Sequence, residues 1–377
     1  MAETPSAAPV LFSTIRTAGG QAFGHATLNA PASLNALSLP MVDLLDPQLT
    51  AWAADPGIVG VVLDAVGEKA FCAGGDVVGL YRSIRATPAG ELPRDAAAFF
   101  EREYRLDHRI HRYPKPLLCW GHGIVMGGGI GLMAGASHRV VTPKTRMAMP
   151  EIGIGLYPDV GGSYVLPRMP HGAGLFLALT GAAINGADAL HGGLADIALP
   201  HERHGAVLEA IAAARWQGDA AADRVALSQL LEALGTGVEL PPSSLRANAK
   251  RIAETIGDDG FNGIALRLPA LASAEDPWLA QAGSAFSKGS PTSAVLGFEM
   301  QRRASALPLT EVFRLEWNAS VGCCLHHDFA EGVRALLIDK DKNPRWQPAT
   351  LGEVTPALIE AHLRAHRAGR HPLADLV

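Results

Sequence analysis

A chain of 377 residues, 48% hydrophobic and 18% charged, has an ordinary globular composition with ample material for a core. A net charge of −5 carries no basic footprint, and aromatics at 6% offer few stacking platforms, which excludes nucleic acid as a partner class. The length fits about two domains, or one α/β body with an appendage.

The opening MAETPSAAPV lacks a positive stretch followed by an apolar run, so no signal peptide is expected. Apolar and polar positions alternate on either side of Gly19-Gly20, which predicts a β-hairpin over residues 10–29. A loop to Leu37 follows, then a helix capped by Ser38 and running through Met41, Leu44 and Leu45 towards Trp52. Gly57-Ile-Val-Gly-Val-Val-Leu-Asp is a continuous apolar run, the mark of a buried strand. Gly67 to Asp76 reads as a loop, and Ala96 to Arg112 as a helix closed by Pro114 and Pro116.

Pro116 to Ser137 carries no Asp, Glu, Lys or Arg and is long enough to span a bilayer. Its histidine and glycines suit a buried strand, a turn and a buried helix better, so no membrane span is expected. Short strands follow at Arg139 and Arg146. The rhythm of strand, loop, helix and strand predicts an α/β core of βα units. Beyond Gly162 the pattern turns helical, with candidates at 175–179, 186–190, 206–216, 221–234 and 245–256, and a linker near 235–245. Asp328 onward reads as a short helix leading into an extended segment. Residues 77–95 and 260–290 read as loops, without further detail.

Chemistry concentrates in Gly121 to Gly162. Three glycines, Gly127 to Gly129, precede Glu151, and Asp159 lies eight positions beyond that glutamate. Glycine lets a ligand approach bare backbone N–H groups, and two such donors can hold a developing oxyanion. The Ala73-Gly74-Gly75-Asp76 turn offers one donor. Gly128, opening a helix, offers another at the positive end of a dipole. Glu151, in apolar company, could act as a base or nucleophile near neutral pH, or simply cap a helix. Asp159 ahead of Gly161-Gly162 has the position of an N-cap. Glu103 reads as a solvated helix charge and His122 as a core histidine.

No Walker A string and no GxSxG elbow occurs, and the triple glycine lacks a convincing dinucleotide frame. His326-His327-Asp328 has metal-binding atoms but no supporting third cluster, so no metal is expected. Cys72, Cys119, Cys323 and Cys324 form no CxxC pair, and the last two are adjacent, which suits reduced, buried thiols in a cytoplasmic protein.

Together, Ala70-Phe-Cys-Ala-Gly-Gly-Asp and Gly123-Ile-Val-Met-Gly-Gly-Gly resemble the two oxyanion-hole segments of the enoyl-CoA hydratase/isomerase (crotonase) superfamily. Strings at 149–162, Phe176-Leu-Ala-Leu-Thr-Gly, Lys288-Gly-Ser-Pro-Thr-Ser and 331–346 are most similar to its branch that hydrolyses 3-hydroxyisobutyryl-CoA. The resemblance implies a ClpP-like spiral of ββα units over residues 1–200 that carries the oxyanion hole. A helical region over 201–377 would cover the acyl-CoA site. It places oxyanion donors on Gly75 and Gly128, catalytic carboxylates on Glu151 and Asp159, and a substrate contact on Glu103.

Where hydratases carry their first glutamate, this chain has Gly131; the second matches Glu151. The resemblance therefore implies hydrolysis of a short 3-hydroxyacyl-CoA, 3-hydroxyisobutyryl-CoA of valine breakdown first among them. Coenzyme A would enter as part of the substrate, with no further cofactor. A homo-oligomer, trimer or hexamer, would be in keeping with the family. Hydration or isomerisation of an enoyl-CoA is the rival activity, and a silent acyl-CoA-binding protein the rival of another class.

Overall fold

The computed structural model describes residues 8–367 and 369–377. The signal-peptide expectation rests mainly on residues 1–7, outside the described residues. β1 (Val10–Arg16) and β2 (Ala22–Leu28) pair antiparallel in the hairpin expected about Gly19-Gly20. α1 (Leu39–Ala54) buries Met41, Leu45, Leu49 and Trp52; Ser38 holds the N-cap position without the expected side-chain bond, and Leu44 is exposed. β3 (Ile58–Ala65) is buried at all but its last residue. The stretch read as a loop contains a short strand, β4 (Ala70–Cys72). The stretches 77–95 and 260–290, read as loops, instead hold helices; in the first, α2 (Val77–Ala86) starts at Asp76, whose carboxylate accepts the Gly79 N–H.

α3 (Arg94–His111) follows. The uncharged segment resolves into β5 (Leu117–Gly121), β6 (Ile124–Met126) and α4 (Gly128–Ala134). Among the described residues no helix is long and apolar enough to cross a membrane. β7 (His138–Val141) and β8 (Arg146–Ala148) come next. They are followed by α5 (Gly162–Val165), α6 (Ala173–Thr180), β9 (Ile184–Asn185), α7 (Gly186–Gly192) and β10 (Ile197–Ala198). Then come α8 (His204–Ala213) and α9 (Ala220–Leu234). The single helix expected over 245–256 is two, α10 (Ser244–Ala247) and α11 (Ala249–Ile256). The chain ends through α12 (Phe261–Ala270), α13 (Pro277–Lys288), α14 (Pro291–Ala304), α15 (Leu309–Leu325), α16 (His327–Val333) and α17 (Pro356–Leu363). After α16 a π-helical turn, Arg334–Ile338, passes into a stretch without helix or strand, as its sequence suggests.

The chain forms two compact units that interleave along the sequence. The first comprises Met1–Gly75, Arg109–Met147 and Asn185–Pro242. Its six-stranded sheet has the order β1-β2-β3-β5-β7-β10 and is parallel except at the β1–β2 edge. Phe23, Val62, Leu118, Trp120 and Val140 of the sheet pack with Val207 and Ile211 of α8 and Leu227 and Leu231 of α9 in one buried cluster. The second unit comprises Asp76–His108, Ala148–Ile184 and Ser243–Val377. There α14 packs on α5, α6 and α15, and α15 also packs on α16 and α17.

This division differs from a cut at residue 200. The apolar faces of α8 and α9 need the sheet to cover them, so residues beyond 200 join the first unit. Segments 76–108 and 148–184 instead belong with the C-terminal helices. The linker expected near 235–245 does mark a crossing, between Pro242 and Ser243.

Candidate active site

In the first unit the two glycine segments run side by side. β4 pairs parallel with β6. Beyond β4, Ala73 N–H donates to Leu34 O at 3.1 Å, and Leu37 N–H donates to Gly74 O at 2.7 Å. Gly74 has φ +109°, a backbone state that side chains rarely adopt, and a Cβ there would stand 3.5 Å from Met126 O. Beyond β6, Gly127 at φ 45° turns the chain into α4. A Cβ at Gly129 would overlap Cys72 O, so this glycine is required by the close passage of one backbone over the other. Gly128 stands in the first turn of α4, where N–H groups have no intrahelical acceptor. Every residue of α4 is buried. Gly75 and Gly128 thus lie on two segments that touch, both with bare backbone.

The second unit gathers carboxylates. Glu151 opens the 3-10 turn Glu151–Ile154, and its carbonyl accepts the Leu156 N–H at 3.0 Å. Its side chain is 5% exposed, and Oε2 has no hydrogen-bond partner. Asp159 precedes two left-handed residues, Val160 at φ 52° and Gly161 at φ 82°. It is not the N-cap of α5, a position held by Gly161. Its Oδ2 instead accepts the Tyr104 hydroxyl at 2.6 Å. The capping work falls to Glu316 on α15, whose carboxylate accepts the N–H groups of Gly161 at 2.8 Å and Ser163 at 3.0 Å.

Glu103 is not a solvated charge: it is 2% exposed, with Oε1 unpartnered. One turn along α3, Asp107 is fully buried with both oxygens unpartnered. Burial raises the pKa of Glu103 well above the carboxylate range, and Asp159, Glu151 and Glu316 add like-charge repulsion. Burial and then Glu103 do the same for Asp107. Burial and then Asp159 do so for Glu151. Glu316 is pushed up to about 8, mainly by burial, against the two backbone donors. Asp159 rises to about 6: burial drives it up, and the Tyr104 hydroxyl holds it back. Five buried carboxylates that repel one another cannot all ionise, so protons are held and exchanged here near neutral pH.

Glu103, Glu151 and Asp159, three of the expected site residues, therefore share one cluster. Asp107 and Glu316 join them unforeseen. A signal existed for both. Phe100, Glu103, Tyr104 and Asp107 fall at helical spacing on one stripe of α3, as do Phe313, Glu316, Trp317 and Ser320 on α15. A carboxylate inside an apolar stripe points inward.

His122 is a core histidine, as read: it is 1% exposed and Nε2 lies 2.7 Å from Gly67 O. The His326-His327-Asp328 string is dispersed. His326 pairs with Gly322 O, His327 with Arg345 O, and Asp328 with Ser290 and the Gln347 N–H. Among the described residues no three His, Cys, Asp or Glu side chains are arranged to hold a metal ion.

The glycine segments, the carboxylate pair and the mixed α/β fold define a family. The enoyl-CoA hydratase/isomerase family model matches residues 23–363, and this chain belongs to that family. Its α/β fold is the crotonase fold. A chicken (Gallus gallus) relative named 3-hydroxyisobutyryl-CoA hydrolase, mitochondrial, is 38% identical over 362 residues, 95% of this chain and 89% of the relative. A crystal structure from Mycobacterium thermoresistibile, titled a carnitinyl-CoA dehydratase, is 38% identical with a TM-score of 0.82, covering 95% of this chain and 96% of that one. One from Rhodobacter sphaeroides 2.4.1, titled an enoyl-CoA hydratase, is 33% identical with a TM-score of 0.78, covering 94% and 97%.

Proposed function

We propose that this chain hydrolyses a short 3-hydroxyacyl-CoA, with 3-hydroxyisobutyryl-CoA of valine breakdown as its substrate. The observation that carries the reading is the relative of that name, similar over nearly the whole of both chains. The N–H groups of Gly75 and Gly128 hold the thioester oxygen as negative charge develops on it. Each such donor contributes roughly 2.7–4 kcal/mol to lowering the barrier. Glu151 attacks the carbonyl to form a mixed anhydride, or takes a proton from the water that attacks. Its burial supports either role, because a desolvated carboxylate is the stronger base. Asp159 orients water or the 3-hydroxyl and returns a proton to the leaving thiolate. Glu103 shapes the acyl pocket. The chemistry calls for no cofactor beyond the coenzyme A of the substrate.

The test is thiol release from a panel of CoA esters with and without a 3-hydroxyl; equal rates on both sets would overturn the substrate assignment. Oxygen-18 entering the enzyme carboxylate in a single turnover marks the anhydride route.

A second reading, enoyl-CoA hydration or dehydration, is favoured by the titles of the two similar structures. Against it stands Gly131, buried in α4 where hydratases by resemblance carry a glutamate. Loss of enoyl absorbance from crotonyl-CoA without thiol release would decide for hydration. Thiol release unchanged by Glu151→Gln would point to a silent site or another nucleophile.

A cytoplasmic location is the reading from the sequence, the chicken relative's name places that protein in the mitochondrion, and cell fractionation decides between the two. A trimer or hexamer is the family expectation, which light scattering measures.

A further inference from the structure

Four side chains of the second unit form an unbranched line of oxygens. Tyr104 Oη lies 2.6 Å from Asp159 Oδ2 and 2.6 Å from Ser320 Oγ. Ser320 Oγ lies 3.0 Å from Tyr157 Oη, which donates to Glu316 O at 2.8 Å. All four side chains are buried, so bulk water does not compete.

Each hydroxyl carries one proton, and a carbonyl carries none. Four contacts need four protons, and the three hydroxyls supply three. With Asp159 ionised, Tyr104 donates to Asp159, Ser320 donates to Tyr104 and Tyr157 donates to the carbonyl. The remaining contact, Ser320 to Tyr157, then holds no proton, and it is the longest of the four. With Asp159 protonated, Asp159 donates to Tyr104, Tyr104 to Ser320, Ser320 to Tyr157 and Tyr157 to the carbonyl. Every contact is filled. The two states interconvert when two hydroxyls, those of Tyr104 and Ser320, rotate; no heavy atom has to move.

We infer that Tyr104, Ser320 and Tyr157 are positioning residues whose turning hydroxyls let Asp159 take up and release a proton without losing its orientation. The inference rests on the proposed hydrolysis. In its general-base form, Glu151 takes one proton from water and the hydroxide oxygen bonds to the acyl carbon. The C–S bond then breaks with its electron pair on sulfur, and sulfur takes the proton of Asp159. Solvent resets both carboxyl groups. The line ends on a carbonyl, which has no proton to pass on. It therefore accommodates the charge of Asp159 rather than conducting protons away.

The titratable groups facing Asp159 are Glu103, Tyr104 and Asp107 from α3, Glu151 from its 3-10 turn, and Tyr157. Glu316, Cys323 and Cys324 face it from α15. None of them is a cation, so hydroxyl donors are the main stabilisers of its charge.

Removing different links should move the titration of Asp159 in opposite directions. Tyr104→Phe takes the donor from the ionised carboxylate, and its midpoint should rise by about one pH unit. Ser320→Ala costs the ionised form one filled contact, Ser320 to Tyr104, and the protonated form two, Tyr104 to Ser320 and Ser320 to Tyr157. The midpoint should fall by about half a unit to one unit. Tyr157→Phe should move it the same way as Ser320→Ala.

The experiment is a carboxyl carbon-13 titration of aspartate-labelled protein without substrate, with Asp159→Asn identifying the resonance. It runs beside the pH profile of kcat for thiol release, whose alkaline limb, where Asp159 loses the proton it gives to sulfur, should follow the same shifts while KM changes little. Midpoints that stay put, or that move the same way in Tyr104→Phe and Ser320→Ala, overturn the inference. If the wild type releases no thiol from any 3-hydroxyacyl-CoA, the hydrolase reading falls, and the carboxyl titration still tests the hydroxyl line by itself.

Discussion

At the scale of the residue, the proposed hydrolysis asks one carboxylate to do the chemistry, and its neighbours set when it can. Glu151 is desolvated, lacks a partner on Oε2 and feels Asp159 as a like charge. Glu151→Gln keeps the size and removes the proton-accepting charge. Thiol release should fall by roughly 10²–10⁴-fold, the usual worth of a base or nucleophile, while circular dichroism and Tm stay near wild type. A loss of less than tenfold would mean that another group attacks. The burial of Glu151 was legible from its apolar neighbours, whereas the glycines after Asp159 argued for an N-cap, a position that Gly161 holds instead. The burial of Glu103 was not legible, since its own position on a charged helix argued for solvent. The Tyr104–Ser320 bond joins residues 216 positions apart, and no local pattern announces such a pairing.

Elements made by continuous apolar runs or by helical stripes were readable, as with β3, β5, α3 and α9. Of the short ones, β7 and β8 were readable and others were not. β4 and β6 have three residues each and exist because each supplies the other's backbone partners. α2 opens with a capped turn, and its only buried apolar residue is Leu80, too little for a stripe to show. The passage of α4 across β4 explains why glycine stands at 129. Gly129→Ala puts a methyl group into Cys72 O, so backbone must shift. Overpacking of this kind costs about 1–3 kcal/mol. Thermal unfolding should show a Tm several degrees lower, and thiol release should drop because the first turn of α4 carries Gly128. A Tm equal to wild type would mean that the two segments are free to separate.

For the whole molecule, the interleaved units explain why a linear cut at residue 200 misses the division. A helix joins whichever unit covers its apolar face, wherever it falls in the chain. The second unit thereby surrounds α3 and α15 and desolvates their inward carboxylates, which ties its stability to pH. Asp107 is the cleanest probe, fully buried, with no partner on either oxygen and no assigned role in catalysis. Its pKa is raised by burial and by Glu103. The folded protein therefore holds a proton that the unfolded chain releases once pH passes about 4. Stability is undiminished below that point and falls as pH climbs towards the raised value, because the unfolded state binds fewer protons. Asp107→Asn cannot ionise and escapes this loss. Its Tm should match wild type at pH 4.5 within a degree or two and exceed it by a growing margin up to pH 8.5. A margin that stays constant across that range would mean that Asp107 is ionised in the folded protein, paired with a cation or with solvent that its surroundings exclude.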